Sequence, residues 1–157
     1  MNDDRTLASR LDFGSLEDLL GFHLRMASAA VARDFAVAMS GLDVTQKQFA
    51  VLELVAANPH LSQVDLAQAL GTDRATMMAV VDRLDDRGLV LRRKSRRDGR
   101  RQELSLSAAG RRLLDEARAR VTAHEARFRA RLGNRRIAEL VTVLREVVVI
   151  GADVSGG

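Results

Sequence analysis

A chain of 157 residues with 46% hydrophobic residues is long enough to bury a core, which argues against intrinsic disorder. It has no cysteine, which excludes disulfides, thiolate zinc sites and thiol redox sensing. The formal net charge of +4 indicates no partner by itself, and no apolar run approaches the roughly 18–20 residues of a membrane span, so we expect a soluble, cytoplasmic protein.

The single proline and 3% aromatic residues favour a mostly α-helical fold. Ser15 and Asp18 have the spacing of a capping box, which predicts a first helix from about 15 to 40. Thr45 and Gln48 have the same spacing and predict the start of a second helix, which ends before Pro59.

A third, short helix is predicted to begin after Ser62 and to end before Gly71. A fourth begins at Thr72 or Asp73 and ends before Gly88. The fourth helix has one apolar face, formed by Met77, Val80, Val81 and Leu84.

After Gly88 the hydrophobic period changes from 3.6 to 2, which predicts strands at 89–93 and 102–106, joined as a β-hairpin around Asp98 and Gly99. Ser107 is then expected to cap a fifth helix and Asn134 a sixth. The predicted fold class is therefore mostly α, with six helices and one β-hairpin. The part that combines the short helices with the hairpin is of the α+β type.

Two short helices followed directly by a hairpin are typical of a winged helix-turn-helix, here from 45 to 107. Because the apolar residues of the fourth helix face inward, its other side is left for a DNA major groove. That side offers Arg74, Thr76, Met78, Ala79 and Asp82. The alternative is that this side of the helix is merely solvated.

Positive charge is concentrated in the hairpin. Seven basic residues and one acidic residue lie between 92 and 101, whereas the rest of the chain has 18 basic and 20 acidic residues. A basic loop with Arg96, Arg97 and Arg100 on a two-stranded stalk has the shape to follow a phosphate backbone or enter a minor groove. A solvated turn is the alternative interpretation.

Several motifs together resemble the MarR family of bacterial transcription regulators. They are Asp73-Arg74-Ala75-Thr76, Val81-Asp82-Arg83-Leu84, Arg87-Gly88-Leu89-Val90, Asp98-x-Arg100 and Leu104-x-Leu106-Ser107-x-x-Gly110. Gly99 and Ser107 stand where an arginine and a threonine are commoner in that family. The resemblance implies a homodimer that binds palindromic operator DNA, usually as a repressor. It also implies that Arg100 enters the minor groove and that Asp98 holds this arginine.

The ends of the chain independently suggest dimerisation. Residues 1–44 and 108–157 form the predicted helical dimerisation domain, and residues 147–150 are an apolar run on all sides of the last helix. One chain of this length would have difficulty covering that run together with the first and fifth helices, so we expect an obligate-type dimer. An intramolecular bundle that hides these faces is the alternative.

No motif of an enzyme is present, and the three histidines, His23, His60 and His124, lie on three different predicted elements. We therefore expect neither catalysis nor a cofactor nor a resident metal. His124 is expected to pack on the apolar face of the fifth helix, and His60 is expected to lie on the surface. A metal-responsive regulator would need the histidines to gather across chains.

In proteins of this resemblance a small-molecule pocket lies between the dimerisation helices and the second helix. His23 and Arg25 are candidates for an anionic ligand there, with Met26, Phe49 and Leu52 as lining residues. A hydrogen-bonded core position is the alternative for His23. The expected effector is a small aromatic or acidic compound or a coenzyme A thioester. A ligand-independent architectural DNA- or RNA-binding protein is the remaining alternative.

Overall fold

The structure is a computed structural model that describes residues 11–95 and 101–154, with side chains to residue 151. Within these ranges it has one 3₁₀-helix, six α-helices and one β-hairpin, as the sequence predicts for the α-helices and the hairpin. The elements are a 3₁₀-helix (Gly14–Asp18), α1 (Leu20–Ala38), α2 (Gln46–Ala57), α3 (Gln63–Ala69), α4 (Arg74–Asp86), β1 (Val90–Lys94), β2 (Gln102–Leu106), α5 (Ala108–Leu132) and α6 (Asn134–Val154).

The chain divides into two compact units, Met1–Asp34 and Phe35–Gly157. In the first unit the predicted helix start at Ser15 is wrong. Residues 14–18 form a 3₁₀-helix, Leu19 has extended backbone angles, and the α-helix begins only at Leu20. The 3₁₀-helix has no side-chain cap, because Asp18 lies at its end and the cap position is occupied by Phe13.

In the second unit the starts of α2 and α3 follow the predicted caps. Thr45 and Gln48 bond each other's backbone in a capping box, with distances of 3.2 and 2.9 Å. Ser62 and Asp65 form the second box at the start of α3. Each box satisfies backbone N–H groups that have no partner inside the helix, which fixes where α2 and α3 begin.

Two glycines end the helices of the helix-turn-helix. Gly71 and Gly88 have φ values of +57° and +65°, which side-chain-bearing residues rarely adopt. After Gly88 the Leu89 N–H donates to the Leu84 carbonyl at 2.9 Å, and Gly88 donates to Asp85 at 2.7 Å. These two bonds are the Schellman pattern, and they turn the chain sharply from α4 into β1.

The hairpin is antiparallel, with Val90 opposite Leu106 and Lys94 opposite Gln102. Its inner side joins one core cluster with α2, α3, α4 and α5. The fully buried side chains of that cluster are Val51, Leu52, Leu66, Met77, Val81, Leu84, Val90 and Leu114. The core therefore holds α4 by one face and leaves its other face outside.

Helix α5 is fastened to the turn between α4 and β1 by backbone contact. The Ser107 side chain accepts from Gly110 N–H at 2.9 Å, which caps α5 as predicted, and donates to the Gly88 carbonyl at 2.6 Å. A Cβ atom on Gly110 would lie 2.0 Å from the Leu89 carbonyl oxygen. Only glycine allows the helix to approach the turn this closely.

Three arginines join distant parts of the second unit. Arg118 on α5 forms a two-bonded ion pair with Glu53 on α2, with both N–O distances at 2.8 Å. Arg120 donates to the Ser40 carbonyl, and Arg87 donates to the Leu42 carbonyl at 3.0 Å. The guanidinium of Arg118 holds the pKa of the Glu53 carboxyl below its usual value.

Helix α6 begins at Asn134 itself, so this residue is the first of the helix and does not precede it as the predicted cap. Several apolar side chains of α6 are exposed, namely Leu140, Val141, Val143, Val148, Val149 and Ile150. Despite that run, none of the helices described in the structure has the length and apolarity that crossing a membrane requires.

Candidate nucleic-acid interface

The exposed side of α4 is the candidate reading surface. Met77, Val81 and Leu84 are fully buried against the core. Four of the predicted base-reading residues, Arg74, Thr76, Met78 and Ala79, are exposed. A long arginine, a 51% exposed methionine and small side chains leave a surface that a groove edge could approach closely. The structure thus leaves these four side chains accessible, and their contacts with bases remain predictions.

Thr76 has a second task at the start of α4. Asp73 accepts bonds from the Thr76 backbone N–H at 2.8 Å and from its hydroxyl at 2.6 Å. These bonds, the hydroxyl first, lower the pKa of the Asp73 carboxyl below its ordinary value. Because its hydroxyl hydrogen is already donated, Thr76 can offer a base only its oxygen lone pairs or its methyl group.

Asp82 does not stand free on the reading surface as the sequence suggested. Its carboxylate forms an ion pair with Arg92 of β1, and Arg92 Nε also lies 3.2 Å from Asp85 Oδ2. Arg92 thereby links the reading helix to the first strand of the hairpin. The spacing of a single helix could not reveal this pair, because the partner lies on the next element.

Arg101, the residue before the second strand, is linked to α3 in the same manner. Arg101 forms an ion pair with Asp65 and donates to the Ser62 hydroxyl at 3.1 Å. The Ser62 backbone bond, more than the arginine, lowers the pKa of Asp65. Two of the seven positive charges counted between residues 92 and 101 are thus partly neutralised by acidic residues of α3 and α4.

The remaining predicted wing residues, Arg96, Arg97, Asp98 and Arg100, lie outside the described residues. Their phosphate and minor-groove contacts stay predictions. Arg93 and Lys94, at the end of β1, are exposed and add positive charge on the described part of the hairpin.

The predicted effector residues fall in both compact units, and each is described in its own. In the first unit, His23 is exposed and does not occupy the core position that was its alternative, and its Nε2 lies 2.6 Å from the Glu17 carbonyl oxygen. Arg25 and Met26 are exposed. In the second unit, Phe49 is half-buried, with its ring centroid 6.0 Å from that of Phe35.

Leu52 has no exposed surface and belongs to the core cluster of the winged helix. Its predicted place in the wall of an open pocket is therefore not seen in this conformation. The physical reason is that the apolar face of α2 packs on α4 and α5, so Leu52 is used for that packing.

The other histidines have local partners. His60 lies in the turn after α2, with its Nδ1 2.8 Å from Glu103 Oε2. His124 is 2% exposed, and its ring meets those of Phe35 and Phe128 edge-on at 5.8 and 5.1 Å. Within residues 11–95 and 101–154, no three or more potential ligands come together to hold a metal ion.

Comparison with known proteins places these features in context. A family model described as the MarR family matches residues 40–101. A protein of Thauera aromatica named for regulation of the hcr operon is 34% identical over 140 residues, which are 88% of this chain and 84% of its own. The transcriptional repressor Rv2887 of Mycobacterium tuberculosis is 34% identical over 72% of this chain and 81% of its own.

Solved structures agree along almost the whole fold. The transcriptional repressor CouR bound to a 23-mer DNA duplex has a TM-score of 0.83 and 35% identity, covering 88% of this chain and 99% of its own. CouR bound to p-coumaroyl-CoA has a TM-score of 0.82 and 34% identity, with coverages of 88% and 98%. Rv2887, a MarR family protein in complex with p-aminosalicylic acid, has a TM-score of 0.64 and 30% identity, with coverages of 82% and 98%.

Proposed function

The chain belongs to the MarR family of transcription regulators, and from that premise we propose that it is a cytoplasmic, homodimeric, sequence-specific DNA-binding repressor without catalytic activity. The observation that carries the proposal is the exposed face of α4, held by Arg92 in a fixed relation to the hairpin. The similarity to CouR bound to a DNA duplex supports it.

Base reading is assigned to α4. Arg74 carries the fork of donors that suits a guanine edge, and Met78 and Ala79 offer apolar surface to a thymine methyl group. Arg93 and Lys94, with Arg96, Arg97 and Arg100 of the loop, supply contacts to phosphates and to the minor groove. On this division of labour, phosphate contacts give affinity and α4 gives base preference.

A homodimer is supported by the apolar face of α6. Val148, Val149 and Ile150 are 72%, 61% and 65% exposed in the single chain. Adjacent exposed valine and isoleucine side chains are unfavourable in water, and a second copy of the chain would cover them. Two-fold symmetry would then place the two α4 helices about 34 Å apart, which is one turn of B-DNA.

The proposed effector is an aromatic acid or its coenzyme A thioester. CouR was solved with p-coumaroyl-CoA and Rv2887 with p-aminosalicylic acid, and both are similar to this chain. The ligand residues predicted from the sequence, which are His23, Arg25, Met26, Phe49 and Leu52, stay predictions, each in its own unit. An effector releases DNA only to the extent that it prefers the conformation that cannot bind the operator.

The test is a titration of inverted-repeat DNA from upstream of the chain's own coding region. Arg100→Ala is expected to weaken binding by about 1–3 kcal/mol, because a groove contact is lost. Arg74→Ala is expected to relax base choice at one position in each half-site by a similar amount. Wild-type protein that binds inverted repeats no better than random duplex at moderate ionic strength would refute the proposal.

A further inference from the structure

An open groove lies between the start of α3, the start of α4 and the start of β2. The side chains of this groove that matter below are Ser62, Asp65, Arg74 and Arg101. Arg74 is the residue to which base reading is assigned, so the groove opens at the reading surface of α4. A duplex that α4 reads therefore passes close to the other side chains of the groove.

Arg101 is the more accessible of the two arginines of the hairpin that form ion pairs. Its side chain is 47% exposed and pairs with one acid, Asp65. The side chain of Arg92 is 26% exposed and pairs with two acids of α4, Asp82 and Asp85. Arg92 is thus held by the reading helix, whereas Arg101 has a side that DNA can reach.

The contacts of Arg101 use one end of its guanidinium. Its Nη2 forms the ion pair with Asp65 and donates to the Ser62 hydroxyl at 3.1 Å. Among the side-chain contacts of residues 11–95 and 101–154, no other hydrogen bond or ion pair engages the Arg101 guanidinium. A guanidinium with an open edge can bind a phosphate group through two parallel hydrogen bonds.

The Asp65 carboxylate opposes such a contact. Because it lies against the guanidinium, it offsets much of the positive charge that an approaching phosphate would meet. An ion pair between partly exposed side chains contributes little to stability, so this pair can be exchanged for another at small cost.

The capping box of α3 does not require the charge of Asp65. Asp65 accepts from the Ser62 backbone N–H at 2.8 Å and so completes the box. At α2 the same position of the box is filled by Gln48, which is uncharged and accepts from the Thr45 N–H at 2.9 Å. The cap and the charge at position 65 can therefore be separated by substitution.

We propose that Arg101 binds a DNA phosphate and that the Asp65 carboxylate weakens this contact by competing for the guanidinium, an inference that rests on the proposed function. Asp65 is then a residue that limits affinity for DNA. Because phosphate contacts carry no sequence information, Asp65 limits binding to every duplex by the same factor and leaves base preference to α4.

Two substitutions of equal length at position 65 differ only in charge. Asp65→Gln copies the uncharged box of α2, and Asp65→Glu keeps the carboxylate. Fluorescence anisotropy with a labelled inverted-repeat duplex measures the affinity of each full-length variant. We expect Asp65→Gln to bind about three- to fivefold more tightly than Asp65→Glu, because the competing charge is absent while the Ser62 hydroxyl still orients Arg101.

A second pair of equal length is the wild type and Asp65→Asn, in which the uncharged variant should again bind more tightly. Comparable unfolding midpoints by circular dichroism show that the variants fold. The logarithm of affinity should also fall more steeply with the logarithm of salt concentration in Asp65→Gln than in Asp65→Glu. The slope should change by up to about 0.9, the value for one further phosphate contact.

The same comparison in an Arg101→Gln background shows whether the acid acts through the arginine. Arg101→Gln alone should weaken binding, because a phosphate contact is lost. In that background Asp65→Gln and Asp65→Glu should bind within about twofold of each other. A general effect of net charge would instead change the affinity by the same factor in both backgrounds.

Equal affinities of Asp65→Gln and Asp65→Glu, or weaker binding by Asp65→Gln, would overturn the inference. An equal gain in affinity in the Arg101→Gln background would overturn it as well. Random duplex of the same length is titrated beside the inverted repeat. Wild-type preference for the inverted repeat without a gain from Asp65→Gln contradicts this inference alone. A gain through Arg101 on both duplexes, without preference for the inverted repeat, contradicts only the proposed function.

Discussion

Gly110 stands where α5 meets the turn between α4 and β1, and its lack of a side chain permits that meeting. We expect Gly110→Ala to destabilise the fold by about 3 kcal/mol, because a Cβ atom 2.0 Å from the Leu89 carbonyl oxygen forces backbone to move. Chemical denaturation followed by circular dichroism measures the change in unfolding free energy.

Gly151→Ala is the matched control, because a Cβ atom there meets nothing within 4 Å. In that helical position alanine should leave stability unchanged or raise it slightly. If Gly110→Ala and Gly151→Ala had equal stability, the close contact at Leu89 would not exist in solution.

Asp73 gives the start of α4 a dependence on pH. Bonds from Thr76 lower its pKa below 3.8, so its contribution to stability is complete above that value and is lost as pH falls through the lowered pKa. Asp73→Ser keeps an acceptor for the cap but removes the charge. The difference in unfolding free energy between wild type and Asp73→Ser should therefore shrink as the pH falls. A difference that stays constant down to about pH 2 would show that the Asp73 carboxylate is not involved.

At this scale the sequence predicts local contacts and misses distant ones. The capping bonds of Thr45, Ser62 and Ser107 join residues three apart, and their spacing alone indicates them. Arg118 and Glu53 are 65 positions apart, and nothing in either residue's surroundings in the sequence marks the other. Such pairs depend on which helices pack together, which is a property of the folded chain.

Among the elements, α4 and the hairpin are linked by Arg92. We expect Arg92→Met to cost only about 1 kcal/mol of stability, because the pair with Asp82 is partly exposed. Operator affinity should fall by about 1 kcal/mol or more, since the wing and reading helix would no longer keep a fixed relation. Fluorescence anisotropy with labelled operator measures the affinity.

Arg112→Met removes one positive charge from an exposed site on α5. It controls for the effect of lowering the net charge of the protein on its attraction to DNA. It should weaken operator binding less than Arg92→Met at low salt. Equal losses in the two variants would mean that Arg92 acts through charge alone and does not position the hairpin.

Element by element, periodicity predicts the six helices and the hairpin to within a few residues, except at the first helix. There the Ser15–Asp18 spacing suggested a cap, but the turn closes as a 3₁₀-helix and Leu19 is extended. A Ser and an Asp three residues apart often occur without forming a capping box. Packing decides whether such a segment starts an α-helix or forms a 3₁₀-helix. For the same reason, the position of Leu52 on α2 could not show whether its side chain is buried in the core or lines a pocket.

For the whole molecule, the exposed face of α6 is the feature that calls for a second chain. Val148→Glu should shift the protein from dimer to monomer, because it places a charge in the apolar face that the partner would cover. Analytical ultracentrifugation measures the mass. Val64→Glu, at a 50% exposed valine on α3, should remain dimeric; a dimeric Val148→Glu protein would move the interface elsewhere.

The bare contact between Gly110 and Leu89 leaves no compressible side chain between the longest helix and the root of the wing. Where side chains lie between two elements, they can shift and take up part of a displacement of one element. Two backbones in direct contact transmit nearly all of it. A tilt of α5 would therefore displace the base of the hairpin by nearly the same amount. That linkage works without a hinge.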